Sequence, residues 1–375
     1  MIPASQGYRF FGVRRESREP RGVKSIAPVY NPCATDNPVM RLFKPFSAQA
    51  IGVAAALVTV VIWTSFIVIA RATADPSRGG VLNPFDIAFA RLLGAGLVLL
   101  PVGWWMVRRD RARNRGASSM FGFSPLPLKV TVAVGFFGGL LYAVLAYSGF
   151  VYAPAGHAAV LMPGSLPFWT TLLAALFLGN QITAARAFGL ALIVAGDVLV
   201  GGPSLLLAFD GGEVWKGDLL FMTAALCWSC YSVLARHYQL DAVRATVAIT
   251  VFAFFLYVPV YGFLLWQQLV PGQFLQAPLG QVLFQMAFQG VGSVVIAGVT
   301  FTRMIQHFGP VRSTMMTSVV PGLAAISAVL ILDEPLHWNL AVGLSLVTLG
   351  IVFGVRPGPG PKPVAVTLPA PPSRT

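Results

Sequence analysis

Between residues 48 and 355 the chain carries ten apolar stretches of about 19 to 24 residues, most of them joined by short connections. At ~1.5 Å per residue, a helix of about 20 residues crosses the ~30 Å hydrocarbon layer of a bilayer. The stretches fall at 48–71, 85–106, 129–150, 155–178, 184–202, 217–236, 245–268, 279–302, 310–332 and 337–355. They are continuous runs and not short alternating ones, which excludes a β-barrel. Composition agrees: 56% of the residues are hydrophobic and 10% charged, more apolar surface than a water-soluble globule of this size can cover. The expected fold is an all-α integral membrane protein with ten transmembrane helices, sequential ones packing as antiparallel neighbours.

The basic residues orient this bundle. A net charge of +13 on a hydrophilic chain would suggest nucleic acid or another polyanion. Here 22 of the 26 Lys and Arg residues fall on the side shared by the two termini, against three (Arg71, Arg78 and Lys216) on the other, with Arg91 left inside a helix. The positive-inside rule places both termini in the cytoplasm of a multi-pass protein of the cell inner membrane, so the charge reports orientation and no nucleic-acid partner is expected. Residues 1–47, with eight basic residues and six prolines, lack the apolar core of a cleavable signal peptide and read as a disordered basic arm. Met40 precedes the first helix closely and offers a second possible start beside Met1. Residues 356–375 form a proline-rich tail expected to be extended.

Numbering the helices reveals an internal repeat. WTSFIVIAR (Trp63 to Arg71) ends helix 1 and WSCYSVLAR (Trp228 to Arg236) ends helix 6, at an offset of 165. Pro167, Leu178, Gly189 and Gly196 match Pro321, Leu332, Gly343 and Gly350 at a constant offset of 154. The chain therefore divides into five-helix halves at 48–202 and 217–355, with a linker loop at 203–216. Five is odd, so the second half enters the membrane upside down, giving two inverted repeats with a substrate site expected near the midplane between them.

The stretches PFWTTLLAALFLGNQITAARAFGLALIVAGDVLVGG and PGLAAISAVLILDEPLHWNLAVGLSLVTLGIVFG, with the tryptophan-bearing first helix and FDIAFARLLGAG around Arg91, resemble the two EamA domains of the drug/metabolite transporter (DMT) superfamily. The resemblance covers residues 48–355. It implies a ten-helix basket around a central cavity and secondary transport of small metabolites, often export. Asn180 stands where that family usually has the glutamate retained at Glu334, which argues against a proton-carrying role for this turn.

Arg91 and Asp197 are the charged residues well away from helix ends, and an ionisable group inside a membrane faces protein or water. Arg91 either pairs with Asp86 or snorkels, or it faces the cavity and attracts an anionic group; Asp197 is expected at the interface. Gln281, Gln285, Gln289 and Ser293 recur every four residues on one face of helix 8, which must meet other helices or water. Of these Gln285, Gln289 and Ser293 are cavity candidates. Helix 4 offers a similar line at His157, Ser165 and Trp169, with His157 able to relay a proton. Trp63, Tyr142, Tyr147, Trp169, Trp228 and Tyr231 are candidates for an aromatic cavity wall suited to flat or apolar substrates.

Pro167 and Pro321 remove a backbone donor each and bend helices 4 and 9, as hinges or as fixed curvature. Asn180 and Glu334, just before helices 5 and 10, are structural turn or capping candidates. Cys227 and Cys230 lack further ligands and read as two thiols in an apolar helix, with neither a disulfide nor a metal expected. Gly135 with Gly139 and Gly350 with Gly354 have the spacing of close helix contacts.

No phosphate-binding Gly-x-x-x-x-Gly-Lys-Ser/Thr loop occurs, so a gradient, of protons for instance, or passive exchange should drive transport, with no cofactor. The expectation is a secondary transporter, and not an enzyme, exporting a small amino-acid-like metabolite or a drug by alternating access around a cavity between helices 1–4 and 6–9. The alternatives are a lipid flippase on the same scaffold, or an enzyme acting on lipid-linked substrates, which the four scattered histidines fit poorly. Substrate identity and oligomeric state are left open by the sequence.

Overall fold

The computed structural model describes residues 48–74, 81–113, 119–207, 210–333 and 335–355. The expected basic arm and proline-rich tail, and Cys33, Arg78 and Glu334, lie outside the described residues. Among the described residues there is no strand, and nine helices are long and apolar enough to span a membrane: α1 (Gln49–Thr73), α2 (Pro84–Ala112), α3 (Leu128–Tyr152), α4 (Ala155–Leu178), α5 (Ala184–Leu207), α6 (Val214–His237), α7 (Ala242–Trp266), α8 (Leu279–Phe308) and α9 (Pro310–Leu332). The tenth, α10 (Trp338–Phe353), is shorter. Helix α5 continues through Pro203, so the linker expected at 203–216 narrows to 208–213.

Local chemistry sets several of these boundaries. Asn83 caps α2, its side chain accepting from the Phe85 and Asp86 amides at 2.8 and 2.9 Å, while the Asp86 carboxylate accepts from the Asn83 amide at 3.2 Å. With Pro84 at the first helical position, where its missing N–H costs nothing, this is a complete capping box. Asp241 caps α7 in the same way, accepting from Val243 and Arg244. Helices α4 and α9 both end on a left-handed residue, Gly179 (φ 67°) and Asp333 (φ 50°), 154 positions apart. Such a residue turns the chain and closes the last carbonyls, without strain at glycine and at modest cost at aspartate. The repeat thus extends from residue types to backbone conformation.

The inversion is visible where α5 meets α10. An added Cβ at Gly196 would lie 2.6 Å from the Gly343 carbonyl oxygen, and one at Gly350 would lie 2.4 Å from that of Gly189. Numbers rise along one helix as they fall along the other, so the two run antiparallel. The repeat offset exchanges 189 with 343 and 196 with 350, so each contact maps onto the other, as an approximate two-fold axis requires. Trp63 and Trp228, equivalent at the offset of 165, also meet edge to face with ring centroids 5.7 Å apart.

Glycines set other close approaches: Gly135 and Gly139 of α3 lie against Phe252 and Ile249 of α7, and Gly94 of α2 lies against the Met286 backbone of α8. At the far end of α2, Arg108 stacks 3.8 Å over exposed Trp104 and Arg109 5.2 Å over exposed Trp105, the amphipathic pairing of a membrane–water boundary. Beside them Asp110 and Arg244 form an ion pair at 2.7 Å that ties α2 to the start of α7.

The glycine seam gives a direct test. Gly350→Ala should lower the midpoint of thermal unfolding in detergent by several degrees, because the methyl group meets backbone that cannot move aside. Gly322→Ala, where nothing lies within 4 Å of the added Cβ, should leave the midpoint unchanged or raise it, since alanine is the better helix former.

Candidate functional site

Eight of the ten helices border the centre of the bundle. Two small cavities lie there, of about 20 and 30 Å³, separated by the Trp228 ring. Trp63, Phe66 and Ile67 of α1, Tyr142 of α3, Met162 and Pro163 of α4 and Val320 of α9 line the first. Arg91 of α2, Gly138 and Gly139 of α3, Tyr231 of α6, Ile249 and Thr250 of α7 and Ser293 of α8 line the second. Among the described residues none of α5 or α10 takes part in either, so the lining comes from α1–α4 and α6–α9.

Wide π-helical turns run beside both cavities: Phe136–Leu141 in α3, Val160–Gly164 in α4 and Met286–Ile296 in α8. A π segment bonds i to i+5, shifts the phase of the side chains that follow it, and is concentrated at functional sites. Glycine and proline mark all three, at Gly138–Gly139, Pro163–Gly164 and Gly290 with Gly292.

Arg91 is buried at this centre. Its guanidinium donates to Ser293 Oγ at 3.0 Å and to the Tyr147 hydroxyl at 3.5 Å, and lies 5.5 Å from the centroid of the Phe66 ring. Tyr147 in turn donates to Gln289 Oε1 at 3.2 Å. The expected alternative, a pair with Asp86, is not what forms. That carboxylate accepts instead from the Tyr261 hydroxyl (3.0 Å), the Gln273 amide (2.9 Å) and the Asn83 amide, and among the described residues no acidic side chain pairs with Arg91. The guanidinium is therefore held by neutral groups and one aromatic face.

Other polar atoms beside Arg91 are unsatisfied: Trp228 Nε1, Gln289 Nε2 and Thr250 Oγ1 are buried without a partner. Indole and amide N–H groups only donate. The centre therefore offers a cation and several free donors, an arrangement that suits a carboxylate or another acceptor-rich group.

The aromatic candidates converge. Trp228 packs against Trp63, Tyr142 (4.8 Å between centroids), Tyr231 (5.2 Å) and Phe301 (5.6 Å), and Trp63 lies 4.9 Å from Phe301. Tyr231 and Thr302 share a hydrogen bond of 2.5 Å that fixes this cluster to α8. Phe66, Phe301 and Met162–Pro163, which border the centre, were not singled out by the sequence reading, because isolated aromatic and sulfur side chains are common along every span.

The remaining candidates lie elsewhere. Gln285 is buried but donates to Thr73 near the end of α1, at 2.8 Å, away from Arg91. Ser165 bonds back to the Leu161 carbonyl within α4. His157 pairs with Asp218 of α6 at 2.8 Å, and Trp169 lines a separate cavity with Asp197. Pro167 and Pro321 each occupy the first turn of a helical segment, after the π segment of α4 and the 3₁₀ turn Thr317–Val319 of α9. The ladder is already interrupted ahead of both. Asn180 sits in the turn after Gly179, its amide closing the end of α4 on the Ala174 carbonyl, while Thr183 supplies the side-chain cap of α5. Its counterpart Glu334 is outside the described residues.

The two faces of the bundle are closed differently. On the face opposite the start of α1 and the end of α10, Asp86 binds the Gln273 amide of the α7–α8 connection, Asn83 donates to the Pro271 carbonyl, and Tyr257 donates to the Phe85 carbonyl. On the face where α1 starts and α10 ends, the terminal face, a depression of about 470 Å³ opens among Leu178, Asn180, Arg236, His237 and Phe308, and Phe308 also packs onto Gly52.

Comparison with known proteins agrees with this architecture. The profile of the EamA-like transporter family matches residues 50–202 and 215–356. The "Uncharacterized transporter YyaM" of Bacillus subtilis is 22% identical over 59% of this chain and 71% of its own length. The "Probable amino-acid metabolite efflux pump" of Escherichia coli is 25% identical over 54% of this chain and 69% of its own length. A crystal structure 22% identical in sequence superposes with a TM-score of 0.52, covering 82% of this chain and 96% of that one, which supports the fold.

The hydrogen-bonded chain at the centre can be measured. Tyr147→Phe and Gln289→Leu should each lower unfolding stability by about 1 kcal/mol, and the double variant should lose less than their sum, since both break the same bond. Strict additivity in denaturant titrations would separate the two residues.

Proposed function

The chain belongs to the EamA-like transporter family, and on that premise we propose that it exports a small amino-acid-like metabolite, or a drug with an acidic group, across the inner membrane by alternating access. Both termini lie in the cytoplasm in this reading, following the distribution of basic residues.

The observation that carries the proposal is the buried guanidinium of Arg91, bonded by Ser293 and Tyr147 and lacking an acidic partner among the described residues. A carboxylate bound there would neutralise a charge that neutral hydroxyls only solvate, and would collect the free N–H groups of Trp228 and Gln289. The rings of Trp63, Tyr142, Trp228 and Tyr231 would hold the less polar part of the substrate. The name of the E. coli relative, a probable amino-acid metabolite efflux pump, supports the same substrate class.

Cavities of about 20 and 30 Å³ hold a water molecule or two and no metabolite, so binding a substrate requires the helices around them to part. Loading requires the terminal face to part from its 470 Å³ depression toward Trp63 and Trp228, and release requires the Asp86 contacts to separate on the other face. The interrupted ladders before Pro167 and Pro321 are the places where α4 and α9 can bend for this with fewest hydrogen bonds lost. Energy comes from a solute or proton gradient in this reading, and the part-buried contact of His157 with Asp218 is the candidate for coupling.

Flux of radiolabelled amino acids from proteoliposomes, with and without a proton gradient, tests the proposal. Transport of at least one carboxylate-bearing solute is expected, and Arg91→Gln should reduce it tenfold or more, the loss of a charged hydrogen bond being worth about 1.5–3 kcal/mol. Unchanged flux in Arg91→Gln, or flux confined to solutes without an acidic group, would overturn the assignment to Arg91.

A further inference from the structure

A third cavity, of about 240 Å³, lies outside the central path, between α4, α5 and α6 toward the face opposite the termini. Its wall is almost wholly apolar, including Leu161, Phe168, Trp169, Trp215 and Met222, and Gly201 and Gly202 of α5 add no side chain to fill it. A Cβ at Gly202 would meet only Val198, at 3.8 Å. The mouth is formed by Val198, Leu205 and Leu219, which are 63%, 46% and 47% exposed. In a membrane-spanning bundle such side chains face lipid.

Two carboxylates enter this wall. Asp218 is held by His157. Asp197 is different: it is 5% exposed, lines the cavity, and its Oδ1 is buried with no hydrogen-bond partner. A buried carboxyl group without a partner is strongly unfavourable and is normally satisfied by a cation, a donor or water. Aromatic rings around such a group are what an ammonium ion with an apolar substituent requires, the charge meeting the carboxylate and the rest meeting indole and phenyl faces.

We propose that this cavity is a binding site, separate from the Arg91 centre, for an amphipathic ammonium group entering from the lipid, with Asp197 as the counter-ion and Trp169 and Trp215 as the apolar walls. An aminophospholipid headgroup and a free arylalkylamine share that chemistry. Opposite charge requirements distinguish the two sites: the centre carries an unpaired cation and this cavity an unpaired acid.

The test is equilibrium binding of tritiated phenethylammonium to the purified full-length protein in nanodiscs of phosphatidylglycerol alone. Saturable binding is expected, weakened at least tenfold by Asp197→Asn and by the cavity-filling Gly202→Phe, retained in Asp197→Glu, and retained in Arg91→Gln. Neutral 2-phenylethanol should not compete. Adding phosphatidylethanolamine to the nanodiscs separates the sources. A raised apparent Kd identifies the lipid headgroup as an occupant, and an unchanged one assigns the site to free amines. Absence of saturable binding, equal binding by Asp197→Asn with its unfolding midpoint preserved, or equal competition by the neutral alcohol would overturn the proposal. Loss of binding in Arg91→Gln alone would show that the amine occupies the central site instead.

Discussion

A guanidinium placed inside a hydrocarbon layer is the constraint around which this bundle is arranged. Arg91 lies seven residues into α2, ~10 Å from its start at ~1.5 Å per residue. Left toward lipid it would cost several kcal/mol, so protein must surround it. Close approach of α2 and α8 achieves this. Gly94 touches the Met286 backbone, Gly290 touches the Gly94 backbone, and the π segment that begins at Met286 carries Gln289 and Ser293 to the same place. Tyr147 and Phe66 complete the enclosure from α3 and α1. Removing side chains at two glycines thus permits a charge to be kept where hydrocarbon would otherwise exclude it.

The approximate two-fold symmetry of the fold is broken at this residue. Trp63 and Trp228 are equivalent and touch, and the Gly189, Gly196, Gly343 and Gly350 contacts exchange with one another. Counting from the helix caps Asn83 and Asp241, however, the position in α7 that matches Arg91 is Ile249, which lines the same cavity. One half supplies a cation and the other an apolar wall. In the proposed transport, the symmetric frame is what would let the bundle close on either face, and the asymmetric lining what would orient a substrate.

The spans and the helical class were legible in the sequence, because apolar length and repeated spacing survive without knowledge of packing; Arg91, Ser293, Gln289 and the aromatic residues stood out singly, but not their meeting. What was not legible has one physical cause. Gln285, Gln289 and Ser293 share a spacing of four, yet they bond to α1, α3 and α2 in turn. The change to i→i+5 bonding after Gln285 rotates the later residues away from the face that a regular helix would present. Gly-Gly and Pro-Gly pairs mark such turns, but the same pairs also mark ordinary close contacts, so the phase shift has no unique signature.

The two closures of the bundle differ in kind, and α2 joins one of them to the site. Opposite the termini, the Asp86 carboxylate collects three donors, and a hydrogen bond to a charged group contributes about 1.5–3 kcal/mol. On the terminal face, Phe308 packs onto Gly52, while the Asp110–Arg244 ion pair and a Gln306 amide donating to the Leu240 carbonyl at 2.8 Å join the helix ends at separate points. Asp86 and Arg91 stand five residues apart on one continuous helix. In the proposed alternating access, a movement of α2 that separates Asp86 from Gln273 would also displace Arg91 from Ser293, since both hydrogen-bonded groups are carried by the same helix. Any ligand that binds Arg91 more tightly in one position of α2 than in the other shifts the balance between the closed and open face by that difference, and by no more.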